Sequence, residues 1–115
     1  MNEAPPAQLE IVKGAVDLLV LQTLAWGPSH GFAIAKWVAG RTEGTLVVED
    51  AALYQALHRM ERKDLVDAEW GVSDTGRRVR VYTLTEMGQR HLQTQRVYWR
   101  RFTGAMTQLL DAVPA

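Results

Sequence analysis

Apolar residues recur at helical spacing through the first sixty positions, switch to alternation near residue 66, and return to helical spacing after residue 86. Ile11, Val12, Ala15, Val16, Leu18, Leu19, Leu21 and Leu24 cover most sides of a helix expected from about Glu10 to Ala25. A helix apolar on more than one stripe is expected to bury against more than its own domain. Trp26-Gly27-Pro28 ends it, and Ser29 is the expected N-cap of a second helix from His30 to about Val38, closing near Gly40. Thr45 to Val48 is β-branched enough for a brief strand. Glu49 and Asp50 then supply a cap and favourable charge for a third helix reaching about Lys63.

Strands follow at Val66–Val72 and Arg77–Leu84, joined by the turn-rich Ser73-Asp74-Thr75-Gly76. Thr85-Glu86-Met87-Gly88 opens a last helix that reaches about Leu110. The order predicts an α+β, mainly α fold, a winged helix-turn-helix with an added C-terminal dimerisation helix. In domain terms, residues 1–9 are expected to form a flexible tail, 10–85 a DNA-binding unit and 86–115 a dimerisation helix.

A wheel of 100° per residue divides the third helix. Leu53, Leu57 and Met60 form a core stripe, and Ala51, Ala52, Gln55, His58, Arg59 and Arg62 share the other side. Small Ala51 and Ala52 let a backbone approach bases. Gln55 suits adenine, Arg59 guanine and Arg62 phosphate, while Tyr54 on the flank can direct its hydroxyl to a phosphate. The same residues equally describe a solvated helix face. The hairpin shifts the balance: Arg78 and Arg80 share a strand face and cluster with Arg77 near the tip, where they can reach phosphates or a minor groove.

Composition changes this picture little. The chain has 115 residues, 47% hydrophobic and 23% charged, which fits one globular domain with one modest core. Net charge is zero, but residues 1–50 carry three cations against six acids, and residues 51–115 carry ten against seven. That asymmetry suits a basic face on a neutral molecule. No apolar run approaches the ~20 residues of a membrane span, and no secretory leader is legible. The absence of cysteine fits a cytoplasmic location.

Catalytic chemistry is not legible. His30, His58 and His91 are far apart and lack metal-ligand spacing. There is neither a Gly-rich phosphate loop nor a nucleophile elbow. No enzyme activity, metal or cofactor is expected.

Leu53-Tyr54-Gln55-Ala56-Leu57-His58-Arg59-Met60-Glu61 with Leu65-Val66 resembles the signature of PadR-type transcriptional regulators. So do Trp26-Gly27-Pro28-Ser29-His30-Gly31-Phe32-Ala33-Ile34 and Tyr82-Thr83-Leu84-Thr85-Glu86-Met87-Gly88. The likeness covers roughly residues 11–102, and the single helix after the wing is similar to the compact subgroup. It implies a homodimeric repressor that binds an inverted repeat of double-stranded DNA and is released by a small molecule. Ser29, His30 and Lys36 are further expected DNA contacts. Three departures stand out: Ala52-Leu53-Tyr54-Gln55 replaces a common Ser-Leu-Tyr-Pro, Phe32 a common Tyr, and Asp64 a frequent Gly at a position expected to be left-handed.

From Leu92, the positions Gln95, Trp99, Phe102, Met106, Leu109 and Val113 alternate steps of three and four, a coiled-coil-like seam. With Leu18 and Leu21 of the first helix, Leu92, Trp99, Phe102, Met106 and Leu109 are the expected dimer interface. Resemblance to multidrug-responsive relatives makes Gln95 and Trp99 candidates for holding a small aromatic effector. The plainer reading is that Trp99 and Phe102 only pack the dimer. An alternative to DNA binding keeps the same fold as a protein-interaction module with an acidic partner.

Overall fold

A computed structural model describes residues 8–12 and 14–114. The elements run α1 (Ala15–Leu24), β1 (Ser29–His30), α2 (Gly31–Arg41), α3 (Asp50–Arg62), β2 (Val66–Val72), β3 (Arg78–Leu84) and α4 (Glu86–Leu110). The sheet is antiparallel with order β1-β3-β2. Three helices under a small wing, followed by a long fourth helix, form the winged helix-turn-helix that the patterning predicts.

Burial explains the helical faces. Val20, Leu21 and Leu24 of α1, Ile34 and Val38 of α2, and Leu53, Ala56, Leu57 and Met60 of α3 close one core. Val66, Tyr82 and Leu92 seal it from the wing and α4. Leu21, Ile34, Leu53 and Leu57 are fully buried, and truncating such a side chain to alanine costs about 2–5 kcal/mol.

Several boundaries differ from the sequence reading, each for a local reason. α1 begins at Ala15 rather than near Glu10, because Gly14 takes a left-handed φ of 93° at the N-cap. Of the expected tail, residues 1–7 lie outside the described residues; Leu9 bridges Leu46 in parallel, its N–H donating to the Thr45 carbonyl at 2.7 Å. Thr45–Val48 gains no other strand partner and is not a strand. The sheet instead takes Ser29 and His30, too short a run to show any period, with Ser29 opposite Tyr82 and His30 opposite Val81.

His30, not Ser29, caps α2: its Nδ1 accepts from the Ala33 N–H at 3.4 Å. α2 continues past Gly40 to Arg41, and the Thr42 hydroxyl then takes over its carbonyls, donating to Val38 at 2.9 Å. Glu49 occupies the N-cap of α3 with no side-chain cap bond. The end of α3 is more elaborate. The Leu65 N–H donates to Met60 at 2.9 Å and the Asp64 N–H to Glu61 at 3.1 Å, the paired bonds of a Schellman turn. Asp64 is left-handed there, with φ 61°.

α4 is rooted in this turn. Thr85 caps the helix, accepting from the Gly88 N–H at 2.9 Å, and its hydroxyl donates to the Asp64 carbonyl at 2.7 Å. The Thr85 N–H donates to Leu65 at 3.1 Å. Gly88 passes so close that an added Cβ would lie 2.0 Å from the Leu65 carbonyl oxygen. Beyond this root, Leu92 is buried, whereas residues 100–110 are exposed on every side.

Candidate nucleic-acid interface

α3 presents its outward arc because its apolar residues fall on the opposite side. Leu53, Ala56, Leu57 and Met60 are buried, while Ala51, Tyr54, Gln55, His58 and Arg62 are exposed. On the 100° wheel, Ala51, Gln55, His58 and Arg62 lie within about 60° of one another, so a base-sized contact is available over three turns of helix. The arc is narrower than the sequence suggests, and its two flanks have other partners.

On one flank, Arg59 pairs with Asp17 of α1, and its side chain is 41% exposed. A residue expected to reach for guanine is therefore tied to the neighbouring helix. Ala52, on the same flank, lines a cleft of about 460 Å³ with Leu9, Ile11, Val16 and Val47. On the other flank, the Tyr54 ring end lies over Gly31, where an added Cβ would meet its Oη at 2.6 Å. The hydroxyl thus stands at the start of α2, beside the His30 cap. Ser29 and His30 are half-buried there, and Lys36 is exposed farther along α2.

The wing follows from its register. Val66 faces Leu84, Ala68 faces Tyr82, Trp70 faces Arg80 and Val72 faces Arg78, so these eight side chains share one face. Its base is core, with Val66 and Tyr82 buried; its far end is not, since Trp70 is 57% exposed and Val72 is more so. Only the base of this face therefore packs inward. Arg80 donates to Glu61 of α3 at 2.9 Å, which ties wing to helix and removes Arg80 from the expected set of free cations. Arg77 and Arg78 remain exposed. Burial raises the Tyr82 phenol above its ordinary 10.0, against the lowering influence of the Arg80 charge.

The expected dimer residues separate into two groups. Leu21 and Leu92 are buried in the chain's own core and have no surface left to offer a partner. Leu18 is half-buried on α1. Phe102, Met106 and Leu109 are 46%, 48% and 77% exposed, a continuous apolar stripe along the free half of α4. Trp99 lies between these groups, half-buried near Gly14. Its Nε1 donates to Gln95 Oε1 at 3.2 Å, and its ring meets Tyr98 and Phe102 edge to face.

The residues that sequence reasoning did not assign are the partners: Asp17, Glu61, Gly31 and Trp70. Only Trp70 had a readable signal, since alternation on both strands places it on the arginine face.

Comparison with known proteins agrees with this fold. Residues 20–94 match the model of the Transcriptional regulator PadR-like family. An uncharacterized protein of Lysinibacillus sphaericus is 30% identical over 84 residues, covering 72% of this chain and 76% of that protein. A PadR family transcription regulator from Clostridium difficile superposes with a TM-score of 0.71 at 32% identity, over 84% of this chain and 99% of that one. A transcriptional regulator from Clostridium thermocellum gives a TM-score of 0.75 at 25% identity, over 84% and 93%.

Proposed function

Because the chain belongs to the PadR-like family of transcriptional regulators, we propose that it is a homodimeric repressor that reads an inverted-repeat operator with α3 and grips the flanking backbone with its wing. The observation that carries this reading is the free arc of α3, Ala51, Gln55, His58 and Arg62, together with the exposed wing cations Arg77 and Arg78, on a wing that Arg80 and Glu61 tie to the same helix. Gln55 pairs with adenine in the major groove, and Arg62, Arg77 and Arg78 take phosphates. Lys36 and the start of α2 at Ser29 and His30 lie where a first helix crosses the backbone. Arg59 joins the base contacts after leaving Asp17.

The exposed stripe Phe102, Met106 and Leu109 supports pairing of two protomers through α4, with Leu18 of α1 alongside. Such apolar exposure on a free helix is a partner's surface rather than a monomer's. Twofold symmetry would set two reading helices about 34 Å apart, one turn of duplex. The aromatic group of Trp99, Tyr98 and Phe102, with Gln95, offers a flat effector an edge of this interface, and occupancy there would release the operator. None of these steps requires a catalytic group, and among the described residues no helix is long and apolar enough to cross a membrane. The protein acts in the cytoplasm, where its DNA is.

Fluorescence anisotropy against the duplex upstream of its own gene, run over a salt series, tests the reading. Affinity should fall steeply with salt. Gln55→Ala should cost about 1–3 kcal/mol and relax one base position, whereas Arg62→Ala should weaken all sequences alike and lower the salt slope by about one. Salt-insensitive, sequence-blind behaviour would favour a protein-interaction module instead.

A further inference from the structure

Trp70 lies directly opposite Arg80 in the β2–β3 register, and Arg78 is one step along the same face. Its indole takes both guanidinium groups, with Arg78 Cζ 4.2 Å and Arg80 Cζ 5.4 Å from the ring. The two arginines differ in what else holds them. Arg80 is bonded to Glu61 at 2.9 Å, so its charge is matched within the protomer. Among the described residues, Arg78 has no carboxylate at ion-pair distance. Its side chain is ordered by the ring and not by an anion.

We propose that Trp70 is a positioning residue for DNA binding, its indole face holding the Arg78 guanidinium at the wing so that the cation meets a duplex phosphate already ordered. The proposal rests on the reading that the α3 and wing surface binds duplex DNA. An arginine on a strand end samples many rotamers, and binding must otherwise remove that freedom. A planar, weakly hydrated guanidinium stacks well on an aromatic face, and tryptophan is the strongest ring for it.

The stack also leaves the guanidinium edge, with its N–H donors, free for a phosphate. Core packing does not account for the ring, which is 57% exposed. Its place is fixed from below: Glu61 on α3 holds Arg80, Arg80 lies against Trp70, and Trp70 carries Arg78. The wing's outer cation is thereby referred to the reading helix.

The test is anisotropy with a labelled duplex that the wild-type chain binds, comparing Trp70→Leu, Trp70→Phe, Arg78→Ala and the Trp70→Leu/Arg78→Ala double variant. Thermal melts establish that each is folded. Arg78→Ala should weaken binding and lower the salt slope by about one. Trp70→Leu keeps apolar bulk without a π face and should weaken binding roughly two- to fivefold. Trp70→Phe should recover most of that loss, and in the Arg78→Ala background Trp70→Leu should do nothing further. An equal Trp70→Leu loss in both backgrounds, or no loss in either, overturns the proposal. If instead the wild-type chain binds no duplex at low salt, it is the DNA-binding reading that fails.

Discussion

Asp17 and Arg59 give the most direct handle on α3 as the proposed reading helix. The pair is partly solvated, with side chains 24% and 41% exposed. Exposed ion pairs contribute about 0.2–1 kcal/mol after screening, so Asp17→Asn should cost no more than roughly 1 kcal/mol of stability by that measure. For Arg59 to reach a base, DNA must first break this contact. The variant spares the complex that step and should therefore bind its operator more tightly, by up to about fivefold.

Removing a negative charge near DNA also raises affinity in a nonspecific way, so the assay is a double-mutant cycle. Asp17→Asn, Arg59→Ala and the double variant are titrated by anisotropy on an operator and on a scrambled duplex. The expected gain is larger on the operator and disappears when Arg59 is alanine. The same gain with Arg59 absent would show that Asp17 acts only through its charge. It would refute the idea that Arg59 changes partners.

Gly88→Ala should destabilise the fold by about 1–3 kcal/mol or more in chemical denaturation, because its Cβ would fall 2.0 Å from a backbone oxygen that has no side-chain slack; a midpoint equal to wild type would refute this. Asp64→Gly should raise stability by roughly 1 kcal/mol by relieving the left-handed φ of 61°, measured the same way. Tyr82 bears on alkaline stability. Its phenol is raised above 10.0 by burial, so the unfolded chain gives up the proton first. That contribution is intact below about pH 10 and declines as pH climbs through the folded-state value. Tyr82→Phe should flatten this part of the denaturation profile above pH 10.

The elements were legible where a period was long enough to repeat. β2 was read at its observed bounds, and α3, β3 and α4 within about a residue, because alternation at Val66–Val72 and three-four spacing after Glu86 cover several repeats each. β1 was not, since two residues carry no period and Ser29-His30 becomes a strand only by pairing with β3. The left-handed site at Asp64, with φ 61°, was expected from the family resemblance, in which Gly is frequent at that position. In the candidate interface, sequence placed Gln55, His58 and Arg62 on the outward side of α3, where they are exposed, but could not show which residues were already engaged. Arg59 with Asp17 and Arg80 with Glu61 are contacts across 42 and 19 positions, and neither follows from local pattern. The seam on α4 was read as one surface, yet its first member, Leu92, is spent inside the protomer. A heptad pattern does not record where a helix stops touching its own body.

That division of α4 turns helix length into an angular setting. The cap at Thr85 and the contact at Gly88 anchor one end, and Phe102 through Leu109 point wherever the intervening turns carry them. Adding one residue between Thr94 and Val97 would swing the outer stripe by about 100°, whereas adding seven would keep its heading within about 20° and advance it ~10 Å. If two chains pair through this stripe, as proposed, such insertions would act as a dial on the separation and tilt of the DNA half-sites they can reach.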